Sequence, residues 1–311
     1  MSFTVFNSIN FAQTFIQYAP LTLGIGMEPA ISIASMIRNS ILNPPLTWFY
    51  NRAEQTFAVT KGTQDYTLSS VPDLAYVEKV SLLSSDGTII EIKDIYNNLA
   101  LSPSAESARP NALSVERSQI ITSVLNYIVR FNVQPDQNYT ATLVYQKRAA
   151  QFGPFLLSAA SNAAAGNTTY TGVFDPISFP VGATATISGF SNAVNNGSFV
   201  VVSCSAAALV VVNGSGVLET KTAFAFNLSW DPIPDQYSDV YNNLFLSECF
   251  SMVDDARSQL YRQRGVAAML SKASGLTEMQ KNIFAQQWLQ RGIASQGAIS
   301  LANSGNAGRG I

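Results

Sequence analysis

The chain has 311 residues and none is histidine. Imidazole is the commonest general base near neutral pH and the commonest metal ligand. Its absence excludes Ser-His-Asp and Cys-His nucleophile systems and histidine-based metal sites. Carboxylate-only and lysine-based chemistry stays open. The acids are scattered, and no facing pair of the kind a glycoside hydrolase needs stands out. Lys61-Gly62-Thr63-Gln64 looks only superficially like a phosphate loop. It lacks the glycine spacing and sits in a hairpin between two strand-like runs. Asp254-Asp255 could hold a metal, but the pair directly precedes a predicted helix and reads better as its cap. The expectation is therefore a non-enzyme with no catalytic residue, no cofactor and no metal.

Residues that bind rather than react are easier to name. Arg257, Arg262 and Arg264 cluster on one predicted helix. They could meet DNA or a partner's carboxylates, or form a solvated face balanced by nearby acids. The segment 235–291 holds six acids and six bases, which suits pairing. Trp48, Phe49 and Tyr50 could anchor a partner, since aromatics dominate interface hot spots, but they read more readily as core. Net charge is −2, so nothing points to a nucleic-acid-binding surface. Only 12% of residues are charged, against roughly 25% in ordinary domains, which predicts that much of the surface meets other protein. Cys204 and Cys249 fall in segments assigned to different domains, so no disulfide is expected. The start does not read as a signal peptide, and no run of 18 apolar residues predicts a membrane span.

The elements that must position these residues change type along the chain. Segments 3–18 and 28–43 read as helices. In the second, Ala30, Ile33, Ala34, Ile37 and Ile41 fall on one face, and Arg38 is the single charge. A helix so poor in charge is buried. From 48 to 148 the period becomes two, in short Val-, Ile-, Tyr- and Thr-rich runs separated by turns, which predicts a mostly antiparallel β domain. The runs 55–60 and 64–68 flank one turn; 75–83 and 88–92 flank another. Residues 158–222 contain three charges, Asp175, Glu219 and Lys221, and read as five strands of a small sandwich or partly open barrel. Helical periodicity returns at Asp235, with one stripe of Tyr237, Val240, Tyr241, Leu244, Phe245, Cys249 and Met252. A second helix follows at 255–273 and a third opens at Thr277.

The expected class is α+β. A discontinuous helical bundle joins two N-terminal helices (1–47) to three C-terminal helices (223–291). An antiparallel β domain (48–157) and a second small β module (158–222) are inserted between them. The last stretch, 292–311, is too small and polar to fold alone and reads as an extended docking arm.

Several strings resemble the head–tail adaptor, or connector, proteins of tailed bacteriophages. They are T-F-A-V-T-K-G-T-Q-D-Y-T-L (56–68), V-P-D-L-A-Y-V-E-K-V (71–80), A-R-P-N-A-L-S-V (108–115) and Y-T-A-T-L-V-Y-Q-K-R (139–148). The strongest is P-I-P-D-Q-Y-S-D-V-Y-N-N-L-F-L-S-E (232–248). Residues 158–222 depart from the simplest members and look like an Ig-like decoration module. The resemblance implies a homo-oligomeric ring of twelve copies in the virion neck, assembled in the host cytoplasm. One face meets the portal protein and the other the tail or nozzle protein. DNA passes through the channel without sequence-specific binding, and no membrane is involved. The portal or subunit contacts implied are Arg257, Arg262 and Arg264, with Ile299, Ser300, Leu301, Arg309 and Ile311 of the arm. The alternative reading is a fibre-associated or receptor-binding protein of the virion whose β insert engages a cell-surface ligand.

Overall fold

A computed structural model describes residues 3–16, 29–42, 46–68, 71–97, 100–118, 126–273, 278–279, 281–283 and 285–286. The protein is mixed α+β, with three separate hydrophobic cores.

The first core is helical. It is built from α1 (Val5–Gln13), α2 (Ala30–Leu42), α3 (Ser238–Ser251) and α4 (Arg257–Lys272). Residues 278–279, 281–283 and 285–286 are helical as well. Local chemistry starts α1: the Thr4 N–H donates to Asn7 Oδ1 at 2.8 Å, satisfying an amide the helix cannot. Distant chain then locks it in place. The Val5 N–H donates to the Leu228 carbonyl (2.8 Å) and the Trp230 N–H to the Phe3 carbonyl (3.1 Å). Asp235, where helical periodicity returns, accepts the Phe3 N–H at 2.8 Å. In α2 all five residues of the expected apolar face are buried. In α3 the expected stripe is buried except for Met252, which is exposed; Leu246 and Phe250 are buried too. This helix is thus enclosed on nearly every side, touching α1, α2 and α4. Leu46, Trp48, Phe152, Phe226 and Trp230, from the connections to the β regions, complete the core.

The second core lies between two four-stranded sheets. One contains β1 (Arg52–Val59), β10 (Tyr139–Lys147), β3 (Leu74–Ser84) and β4 (Ile89–Glu91), in that order and antiparallel. The other orders β2 (Asp65–Leu68), β8 (Asn126–Phe131), β7 (Ala112–Ser118) and β5 (Asp94–Asn97). Its β5–β7 pair is parallel. A short parallel bridge joins β6 (Ser107–Ala108) to β9 (Gln134–Pro135). Val80, Leu82, Leu113, Val129, Phe131 and Leu143 fill the space between the sheets. The expected hairpin at 84–88 forms, with β3 beside β4. The expected pairing across Lys61–Gln64 does not: β1 and β2 enter different sheets. Strand β10 matches all eight residues of β1, whereas β2 has four.

The third core is a closed six-stranded barrel of order β11 (Phe155–Ala160), β12 (Asn167–Gly172), β15 (Ala208–Val212), β14 (Gly197–Cys204), β13 (Thr184–Ser188) and β16 (Glu219–Phe226). Five strands of a small sandwich or partly open barrel, likened to an Ig-like module, were the expectation. The sixth, β11, begins before residue 158, and its pairing with β16 closes the sheet, so the strands form one barrel rather than two facing sheets. Closure removes the free edges an Ig-like sandwich would keep. Gly153 makes the entry possible: its φ is +108°, and a Cβ there would lie 2.8 Å from the Ala225 carbonyl oxygen.

Candidate functional site

Two places gather polar and aromatic groups. The first is the outer face of the helical body. Arg257 pairs with Asp255 (Nη2–Oδ2 2.6 Å), and its guanidinium lies 4.3 Å above the Phe250 ring. Asp255 Oδ1 also accepts the Arg257 N–H at 2.8 Å, so this acid does organise the start of α4. Those bonds from Arg257 hold the Asp255 carboxyl below its ordinary range. Phe250 stacks on Tyr261, Arg264 sits 5.3 Å over the Tyr261 ring, and Phe15 meets that ring edge-on at 5.9 Å. Phe15 is 43% exposed, and among the described residues no carboxylate pairs with Arg264. The result is a packed aromatic pair, Phe250 buried and Tyr261 partly so, flanked by Arg257 and Arg264, with Phe15 exposed beside it. This is the side-chain composition that carries binding energy in protein interfaces.

Arg262 does not belong to that face. It is 8% exposed and points between α3 and α4, donating to Glu248 Oε1 at 2.8 Å and Ser247 Oγ at 3.4 Å. Burial raises the Glu248 pKa and the nearby Arg262 charge opposes that rise. The side chain therefore ties two helices together inside one molecule and leaves Arg257 and Arg264 to the surface. Trp48 and Tyr50 turn inward, with Trp48 Nε1 donating to the Ile41 carbonyl at 2.8 Å; Phe49 is exposed. Ile299, Ser300, Leu301, Arg309 and Ile311 lie outside the described residues, as does the whole arm 292–311.

The second place is the junction where the three bodies meet. A cleft of about 290 Å³ is lined by Asp73, Lys147 and Arg148 from the sandwich, Ile177 and Pro180 from the barrel, and Ala150, Asn227, Asp231 and Pro232 from the connections. Arg148 holds it together. Its guanidinium forks onto Asp175 of the barrel while Nε donates to the Pro72 carbonyl at 3.0 Å. Ser178 adds a link, its Oγ accepting the Gln151 N–H (2.8 Å) and its carbonyl accepting from Asn227 Nδ2.

Behind this cleft lies Arg38, the single charge of α2, fully buried. Nη1 donates to the Ala150 carbonyl at 2.7 Å and Nη2 to the Ser229 carbonyl; the guanidinium lies 3.3 Å from the Phe152 ring centroid. These acceptors belong to the two connections that lead into and out of the barrel. Burial pushes the Arg38 pKa down, partly offset by Tyr241 and Asp231. Hydrogen bonds to two carbonyls compensate the buried cation only in part, since Nε is buried without a partner among the described residues. Arg38 pins both connections to the helical body.

Sequence reasoning passed over Arg148, Asp175 and Arg38 as a functional set. A usable signal existed: a lone charge in an uncharged stretch, as at Arg38 or Asp175, must find a partner when it is buried. No protein-family model, curated protein or solved structure matches this chain.

Proposed function

We propose that the protein is a structural subunit of a bacteriophage neck: a head–tail adaptor that forms a ring between portal and tail and leaves a central channel for DNA. The observation that carries this reading is the discontinuous helical body. Chain from residues 3–16 and 29–42 packs with chain from 228–273 in one core, and two β bodies are inserted between them. Read as a bundle, this body holds its shape at both ends of the sequence. It can therefore bear contacts on its outside while the insertions project from it.

The arginine–aromatic group at α3 and α4 supports the same reading, because it offers a partner the exposed Phe15 ring and the Arg264 guanidinium, which has no carboxylate partner among the described residues. The low charge of the chain supports it too, since subunit contact covers surface that water would otherwise meet. The barrel occupies the position of the Ig-like decoration in this reading. Ring contacts fall on Arg257 and Arg264.

Gold-labelled antibody against the chain, applied to intact particles of the virus that encodes it, tests the placement. Label at the junction of head and tail is expected. Label at the fibre tips would favour a receptor-binding role and sink the adaptor reading.

A further inference from the structure

From residue 149 to residue 218 the chain carries a single charged side chain, Asp175, and that one is held by Arg148. Five of the six barrel strands lie in this stretch. Their inward residues, such as Ala185, Val201, Leu209 and Val211, fill the barrel. The outward side of β14 and β15 is apolar as well. Val200 lies beside Thr184 of β13, and the Val201–Val211 register sets Val200 beside Val212 of β15. Val200, Val202 and Val212 are 48%, 37% and 53% exposed.

A second apolar spot lies across the barrel. In the closed strand order β14 stands three places from β11, the farthest separation six strands allow. On that far side Leu156 of β11 is 53% exposed and Val173, whose N–H donates to the Leu156 carbonyl, is 72% exposed. The barrel thus has two opposed apolar faces.

Charge decides what could cover them. A partner surface bearing ions would have to desolvate those ions against a face with no counter-charge, which is unfavourable. The complement must be uncharged. The sandwich and helical surfaces of this chain carry most of its exposed charges, among them Lys79, Glu91, Arg257 and Arg264. On the barrel of a second copy Glu219 and Lys221 stand together on β16, and neither apolar face includes them. Because the barrel is closed, no strand edge is free to be extended, and contact must run face to face.

We propose that the Val200–Val202–Val212 face of one copy packs on the Leu156–Val173 face of the next. Two different patches on opposite sides make a head-to-tail contact, which closes into a ring when the rotation per copy allows. This deepens the ring reading above and rests on it: the barrels, not only the helices, join neighbours.

The test uses the full chain and two double variants, V200K/V212K and L156K/V173K, followed by sedimentation and electron microscopy. The wild type is expected to form rings, and each variant alone to lose them. An equimolar mixture of the two variants should give a one-to-one heterodimer, since one intact face remains on each. Near-UV circular dichroism checks folding. Should either lysine variant unfold, V200T/V212T keeps the β-branched shape and should raise the concentration at which rings dissociate by about tenfold or more. Rings that persist unchanged in the variants would overturn the barrel contact and leave the ring reading standing. A wild type that stays monomeric would overturn both.

Discussion

The guanidinium of Arg148 grips the carboxylate of Asp175 through two parallel hydrogen bonds, Nη1–Oδ2 at 2.8 Å and Nη2–Oδ1 at 2.7 Å. Arg148 leaves the end of a sandwich strand, and Asp175 sits in the barrel between β12 and β13. A fork of this geometry fixes orientation as well as distance. Both side chains are mostly shielded, at 23% and 16% exposure, so the pair is stronger than a free surface ion pair.

Arg148→Ala should therefore loosen the barrel without unfolding it. The expected loss is about 1–3 kcal/mol, the cost of leaving a partly buried carboxylate without its partner. Small-angle scattering should show a broader distribution of shapes. The swap Arg148→Asp with Asp175→Arg should recover much of the wild-type profile. An unchanged profile in the single variant would show that the fork does not set the barrel's orientation.

Arg38 should be among the most sensitive positions in the chain. Arg38→Ala removes the donors to the Ala150 and Ser229 carbonyls and opens a cavity beside Phe152 and Trp230. A loss of about 3–5 kcal/mol is expected by denaturant unfolding. Arg38→Met fills most of that space without burying a charge and should cost less than the alanine variant. Equal stability of all three proteins would contradict the assigned role.

Gly265 tests the contact between α3 and α4. Alanine at a helix position ordinarily gains about 1 kcal/mol over glycine. Here its Cβ would lie 2.7 Å from Leu244 Cγ and Cδ2 and 3.2 Å from the Leu244 backbone nitrogen, so α4 must shift away. Overpacking of this kind costs roughly 1–3 kcal/mol, which outweighs the propensity gain. Thermal unfolding of Gly265→Ala should come at a lower temperature than wild type; a higher one would refute the close packing.

Alkaline pH should unfold the protein for a definable reason. Burial raises the pKa of Tyr50, Tyr76, Tyr145 and Tyr241 above the ordinary 10.0. Above pH 10 the unfolded chain gives up these protons while the folded chain keeps them. The unfolded state then binds fewer protons, and stability falls with rising pH. The stability is fully present below pH 10 and is lost through the range above it. Arg38, with its lowered pKa, opposes the trend, but one group acts against four. Denaturant midpoints at pH 8 and pH 11 read the effect directly, and a higher midpoint at pH 11 would contradict it.

Much of this fold could be read from local pattern. The buried face of α2 followed from Ala30, Ile33, Ala34, Ile37 and Ile41 at helical spacing, and the β3–β4 hairpin from its turn. What local pattern lacks is the choice of distant partner. Strand β1 preferred β10, eighty or more positions away, to the adjacent β2. The barrel closed because Phe155–Ala160 met Glu219–Phe226, a pairing with no short-range signature. The site divided in the same way. Helical periodicity placed Arg257, Arg262 and Arg264 on one helix, but only three-dimensional packing turned Arg262 inward to Glu248. The Arg148–Asp175 fork joins two segments that share no motif.

The adaptor reading rests on assembly, and single-particle electron microscopy of the purified wild-type protein tests it most directly. The account predicts closed rings of twelve copies with an open central channel. A uniform population of monomers at micromolar concentration would contradict it.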